Sequence, residues 1–551
     1  MTSERPARSE RPARVLDATT WVLGAVVAAI STWVVVARLG HPVDAEWMTG
    51  TIREGVERVR DGKPLYVAPS AGFIPFVYPP LYFWISALLA KALPTALACK
   101  LVSLAAAGAV GWGVHRIAGA MGASARWSRL AVVLFVATYP LTLFFYDLER
   151  VDALYAAMIA LAVATLLTRE GPAWTAIGGA LLGGSFYAKQ GGLFAFAAVV
   201  VALFLSGERR RASIAFAAGS LVLVTLFGWL EVSTAGMFRF YCLTLPGGHG
   251  IKAARLSLFF VEDVPRTFAY VAGTVAILVP VARALGRRTI RDLAWRETVF
   301  GFVLFAGLAA AFFFRAHSGG WSNVLVAWLP LACAAVAIAA SRAEASAEGT
   351  PSGHVVRALL LGGVCLQLSA ALFDPTEVAP NDADVRERER LVSLVRRLEA
   401  QGPVMVTTVG QVTKEPYAQS AALEDVLRGG GAAPKDLLEA FEQRRFAAIL
   451  VGSPTEQDCG TRACDEILLA LGRNYFVAAR RHERAHTGTS GFDGRPRWIM
   501  RPRKTPLPSA TRAELDARQR LEMGLATAES AKTDPSSEVE PVDAIEQIAG
   551  R

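Results

Sequence analysis

The stretch FVYPPLYFWISALLAKAL, residues 76–93, decides how this chain is laid out. It is apolar enough to enter a bilayer, yet Pro79 and Pro80 open it and Lys91 and Pro94 close it. Proline lacks a backbone donor and its ring obstructs the preceding helical turn, so the usable helix is shorter than the run. Around this stretch lie eleven clearer apolar runs: 17–38, 97–115, 128–146, 151–167, 172–188, 191–206, 213–231, 267–285, 298–315, 321–341 and 355–373. Most approach the roughly 20 residues that cross a hydrocarbon core as a helix. In a chain of 551 residues, 53% hydrophobic with 48 glycines, such clustering predicts a polytopic α-helical membrane protein.

Charge chooses between eleven and twelve spans. If 76–93 does not cross, the basic loops 116–129, 209–211, 287–296 and 342–357 share a side with the N-terminal arginines Arg5, Arg8, Arg11 and Arg14. That is the positive-inside arrangement. If it crosses, all four loops move to the other side. The expected layout is therefore about eleven spans plus an interfacial or re-entrant helix at 76–93, which a bilayer tolerates when its backbone is covered by protein. The basic N-terminus, residues 1–16, reads as cytoplasmic, and the first apolar run as an uncleaved anchor. The net charge of +9 sits mostly in these short loops, which argues against nucleic-acid binding.

On that topology the transmembrane domain is 17–374, with long exported loops at 39–96 and 232–266. Residues 382–503 alternate helical patterns with β-rich runs at 404–410, 446–452 and 475–481, and predict a small exported, soluble α/β domain. Cys459 and Cys464 fall inside it, where an oxidising compartment would permit a disulfide. Beyond residue 504 aromatics disappear and Pro, Ser and Glu increase, so 504–551 reads as a mostly disordered tail with a short helix near 511–528.

The unusual polar residues collect on the exported face. Asp44 and Glu46 follow the first span. Asp147, Arg150 and Asp152 lie between two apolar runs, where ionisable groups are costly unless paired or facing a polar cavity. Lys189, His249, Lys252 and Arg255 could meet a phosphate, although Lys189 could equally snorkel. His317 and Asn323 open a late span beside Gly319-Gly320, which permits close backbone approach. No HExxH motif, Walker loop or strand-bound GxGxxG is present, and Gly429-Gly430-Gly431 has no phosphate motif around it.

Together these stretches resemble the integral-membrane glycosyltransferases of the GT-C fold, in particular the bacterial branch of protein O-mannosyltransferases and lipid A aminoarabinose transferases. The resemblance rests on Asp44 after the first span, Gly62-Lys63-Pro64-Leu65-Tyr66, Tyr78-Pro79-Pro80-Leu81, Arg150 with Asp152, and Gly319-Gly320-Trp321-Ser322-Asn323. Ala45 separates Asp44 from Glu46, where many relatives have adjacent acids.

The resemblance implies transfer of a sugar from a polyprenyl-phosphate donor to a glycan, lipid or protein acceptor at the exported face of a bacterial inner membrane. It implies Asp44 as general base of an inverting displacement, and Lys189, His249, Lys252 and Arg255 on the donor phosphate. Glu46, Asp147, Arg150 and Asp152 would orient the acceptor or a metal ion, and Tyr66, Tyr78, Pro79, Pro80, His317 and Asn323 would line the cavity. Cofactors stay open between none and a divalent ion such as Mg2+ or Mn2+. A polysaccharide ligase or polymerase, or a lipid or sugar transporter, is the alternative reading.

Overall fold

The computed structural model describes residues 11–42, 44–317, 320–348, 350, 352–408, 412–452, 460–481 and 495–532. A helix stands at each of the eleven predicted spans, but their lengths differ from expectation. Six are long and apolar enough to cross a bilayer: Pro12–Leu39, Thr95–Ala120, Arg209–Ser233, Phe268–Gly286, Trp295–Ala316 and Leu329–Ala347. The protein is therefore a multi-pass membrane protein by its helices. The other five run from 13 to 17 residues. Eleven full spans are thus not what the helices themselves provide.

The first nine helices in chain order are α1 (Arg11–Leu39), α2 (Thr49–Arg60), α3 (Leu81–Leu89), α4 (Thr95–Ala120), α5 (Ala125–Ala137), α6 (Asp152–Thr168), α7 (Pro172–Ser185), α8 (Gly192–Leu205) and α9 (Arg209–Ser233). The deciding stretch becomes α3, and Pro80 caps its start. Nine residues at ~1.5 Å each reach less than half of a ~30 Å hydrocarbon core, so α3 is too short to cross. The predicted span 128–146 also shortens. Helix α5 stops at Ala137 because Pro140 cannot continue it, and Leu143 and Phe144 then take left-handed φ values of 55° and 62°. Residues 139–151 consequently form a real loop, where the sequence suggested almost none. The expected loop 232–266 is mostly short helical pieces, two of them π turns at Phe240–Thr244 and Phe259–Asp263.

The C-terminal region is a four-stranded sheet of β1 (Val404–Val406), β2 (Ala448–Val451), β3 (Tyr475–Arg480) and β4 (Trp498–Pro502), in the order β1-β2-β4-β3. β1 and β2 pair in parallel; the other two pairings are antiparallel. Alternate residues face opposite sides. Val404, Val406, Leu450 and Ile499 pack with Leu391, Leu394 and Val395 of the helix Asp382–Glu399. Met405, Ile449, Val451 and Met500 face the other way, into one core shared with Met48, Phe76, Tyr82, Tyr241 and Leu245. This α/β layer therefore shares its core with the long loops of the membrane part. β4 escapes sequence reading because its apolar run is three residues between Arg-Pro flanks.

In the tail the short helix expected near 511–528 is present, and residues 533–551 lie outside the described ones. A helix at Arg512–Lys532 covers the edge strand β3, with Leu515 buried. Glu522 accepts a hydrogen bond from the backbone N–H of Val477 at 3.0 Å and pairs with Arg503 at 2.7 Å. An open strand edge is thereby satisfied, a need visible only once the sheet exists. Of the proposed disulfide, Cys464 is disulfide-bonded, while Cys459 lies outside the described residues.

The Gly429-Gly430-Gly431 run has a packing role. A side chain at Gly429 would meet the Leu245 backbone at 2.8 Å, one at Gly248 would meet the Gly429 carbonyl oxygen at 2.6 Å, and Gly430 has φ +85°. Gly429→Val should lower stability by about 1–3 kcal/mol through overpacking at this seam. Thermal unfolding of the detergent-solubilised protein checks this: an unchanged Tm would mean the seam yields freely.

Candidate active site

The loop that follows α5 delivers Asp147, Glu149, Arg150 and Asp152 to one end of the bundle, beside the segment that follows α1. There the side chains fall into two linked networks. In the first, Arg53 of α2 lies between two carboxylates. Its Nη1 donates to Asp44 Oδ1 at 2.7 Å, and its Nε and Nη2 donate to the two Glu149 oxygens at 2.6 and 2.5 Å. Arg53 and Glu149 are buried, whereas the Asp44 side chain keeps 13% exposure. Burial alone would discharge a guanidinium; the two carboxylates hold the Arg53 pKa above its ordinary value.

In the second network Arg150 is the hub. It donates to Glu46 Oε1 at 3.0 Å, to Asp152 Oδ2 at 3.2 Å and to the Tyr78 hydroxyl at 2.7 Å, and it touches Met48 Sδ. Asp152 Oδ1 in turn accepts from Lys189 Nζ at 2.6 Å and from Asn323 Nδ2 at 3.2 Å. Glu46, Tyr78, Lys189 and Asn323, all singled out from sequence, thus meet around Arg150 and Asp152, so that six residues come together from five separate segments. Burial pushes the Glu46 carboxyl up to about 7, against the pull of Arg150 beside it. Asp44, Glu46, Glu149 and Asp152 face Arg53, Arg150 and Lys189, so four acids stand against three cations. A proton held on Glu46 would balance them.

Asp147 lies apart from both networks. It pairs with Arg38 at the end of α1 at 3.2 Å, while Lys100 donates to the Arg38 and His41 carbonyl oxygens. This tie fixes the loop to α1 and α4. Tyr66 is buried in an aromatic core and donates to the Tyr78 carbonyl, and Pro79 and Pro80 are buried at the turn into α3. Both positions shape Tyr78.

The remaining predicted residues form a neighbouring patch. The rings of His249 and His317 are 5.3 Å apart. Arg255 donates to the carbonyl oxygens of His317 and Gly320 at 3.4 and 3.3 Å. Lys252 is exposed, and its backbone N–H bonds the Ala316 carbonyl. Gly319 lies outside the described residues. Among the described residues no group of three His, Cys, Asp or Glu side chains is arranged to hold a metal ion. Both Asp152 oxygens already accept from cations, which leaves that carboxylate ill-suited to one.

Sequence reading missed Arg53, Glu149, Arg38 and Lys100. Arg53 left a signal, being a cation on the apolar side of an amphipathic helix beside Ile52 and Val56. Glu149 stood inside the chosen acidic segment but carried no pattern of its own.

The helices make this a multi-pass membrane protein, and its fold is the GT-C fold of the solved structures it resembles. The chain is similar to ArnT from Cupriavidus metallidurans in the apo state, with a TM-score of 0.53 and 15% identity, over 88% of this chain and 98% of that one. The same protein bound to undecaprenyl phosphate gives a TM-score of 0.51 at 14% identity, with the same coverage. No family model and no curated protein matches the chain.

Removing one partner from a buried pair strands the other charge. Glu149→Ala should cost about 3–5 kcal/mol. The double change Arg53→Met with Glu149→Leu should cost less, since the charge left behind is then Asp44, whose side chain is partly exposed and can reach water. Comparing the three unfolding curves tests this, and equal losses for the single and double variants would contradict it.

Proposed function

We propose that this protein transfers a sugar from a polyprenyl-phosphate donor to an acceptor hydroxyl at the exported face of a bacterial inner membrane, with the N-terminus in the cytoplasm. The fold shared with ArnT supports a lipid-phosphate carrier, because one of those ArnT structures is bound to undecaprenyl phosphate. The observation that carries the reading is the clamp on Asp44. Its carboxylate is partly exposed, is held through one oxygen by Arg53, and has that cation offset by the bidentate Glu149. A carboxylate so held is oriented while its other oxygen stays available as a base.

In the proposed step the acceptor O–H gives its proton to Asp44 as its oxygen bonds to the anomeric carbon. The bond from that carbon to the phosphate oxygen breaks, and its electron pair leaves with the polyprenyl phosphate. One displacement inverts the anomeric centre and needs a single base. Lys189, 18% exposed, donates one N–H to Asp152 and has two others to offer the departing phosphate. Arg255, Lys252 and His249 lie on the patch the lipid phosphate would approach. Arg150, Asp152 and Glu46 are positioning residues on this reading: they hold Lys189 and Tyr78 in place.

Asp44→Asn should lower transfer by about 10²–10⁴-fold while the protein still reaches the membrane. Mass spectrometry of lipid-linked sugars and envelope glycans, in cells lacking the protein and complemented with each form, tests this. Donor accumulation with loss of one sugar from the acceptor is the expected result. A normal glycan profile with Asp44→Asn removes the base assignment.

A further inference from the structure

The helix Ser420–Arg428 of the C-terminal layer carries a carboxylate whose position folding alone does not explain. Asp425 sits in the last turn of that helix, where the unpaired carbonyls disfavour negative charge, and its neighbour Glu424 is also acidic. Glu424 is neutralised by Arg428. Asp425 makes a longer contact with a basic group, His249 Nε2 at 3.9 Å, and Arg428 also acts on it electrostatically. That imidazole spends its hydrogen bond on the Asp425 backbone carbonyl at 3.0 Å. Burial, with Glu424 acting in the same direction, pushes the Asp425 carboxyl up to about 7. An exposed surface location would have avoided this cost.

Its surroundings belong to the site described above. His249, 3.9 Å from the Asp425 carboxylate, has its ring 5.3 Å from that of His317. The side chain nevertheless keeps 28% exposure, against 1% for Asp152. The helix is held there by backbone bonds rather than by Asp425. Ala418 N–H donates to the Ala71 carbonyl at 2.8 Å, Ala71 N–H donates to Asp436 at 2.8 Å, and Gly429 packs on Leu245. Docking of the layer thus does not require the carboxylate.

We infer that Asp425 is the C-terminal layer's contribution to the ligand site, accepting hydrogen bonds from the hydroxyl groups of the sugar on a polyprenyl-phosphate donor. The inference rests on the donor reading above and deepens it. Hydroxyl donors suit an acceptor-only carboxylate flanked by imidazole. A phosphate does not, because the Asp425 carboxylate would repel it, and it is drawn instead towards Lys189 and Arg255. The two ends of the donor headgroup are thereby sorted by charge.

The test uses the full-length protein in lipid nanodiscs. Dissociation constants are measured for undecaprenyl phosphate and for undecaprenyl phosphate carrying mannose, glucose, galactose or arabinose. Wild type should bind at least one sugar-bearing lipid about tenfold more tightly than the bare phosphate lipid, the scale of a hydrogen bond to a charged group. Asp425→Asn should lose that gain and leave the bare lipid's affinity within about twofold, and Asp425→Glu should recover part of it. Retention of the full gain by Asp425→Asn overturns the proposal, as does the absence of any gain in wild type. If wild type binds neither kind of lipid, the donor reading itself fails. If neither variant accumulates folded, Asp425 is a folding residue and the inference falls.

Discussion

Two buried guanidinium groups, Arg53 and Arg150, are the constraint on which the rest of the site depends. A charge removed from water must be matched within a few ångströms or it unfolds its surroundings. Arg53 is matched by Asp44 and Glu149, and Arg150 by Glu46 and Asp152. Because Glu149 and Arg150 are adjacent, each network fixes the register of the other. The segment after α1, helix α2 and the loop before α6 are thereby locked together, and Tyr78, Lys189 and Asn323 are added around the same centre. Such a network rigidifies what it satisfies, which is what a base and a leaving-group donor require.

The break after α5 is what makes this possible. Had the run 128–146 stayed helical, Asp147 and Glu149 would have pointed to different sides of a helix, with the hydrocarbon core close by. Pro140 ends the helix, and the left-handed pair Leu143 and Phe144 turns the chain so that Glu149, Arg150 and Asp152 reach the two linked networks. Left-handed backbone at two successive non-glycine residues is strained, and strain of this kind persists where packing over-determines it. Here Phe144 packs on Tyr139 and Phe373, and Arg38 lies over its ring.

The C-terminal layer closes the same region from the other side. Its sheet is buried on both faces, one against its own helix and the other against a core that includes residues from the 39–96 loop and the 237–248 segment. The layer and the membrane part therefore stabilise each other across a shared apolar core. The glycine turn at 429–431 lets the backbones approach, and the helix ahead of it brings Asp425 beside His249. A region that reads as an appended domain is joined to the site it covers.

The sequence by itself determined the helical membrane class, the positions of eleven helices, the non-crossing character of α3, three of four strands, and the acids after the first apolar run. Apolar run length, proline position and two-residue alternation are local properties, written in consecutive residues. The tertiary structure decided the rest: which acid is clamped and which is consumed in a hub, where α5 stops, and that the tail helix covers a strand edge. Glu149 and Arg53 are separated by 96 positions (149 − 53). No periodicity links residues so far apart. Their pairing follows only from burial, which forces charges brought to one place by packing to find each other or remain available for a ligand.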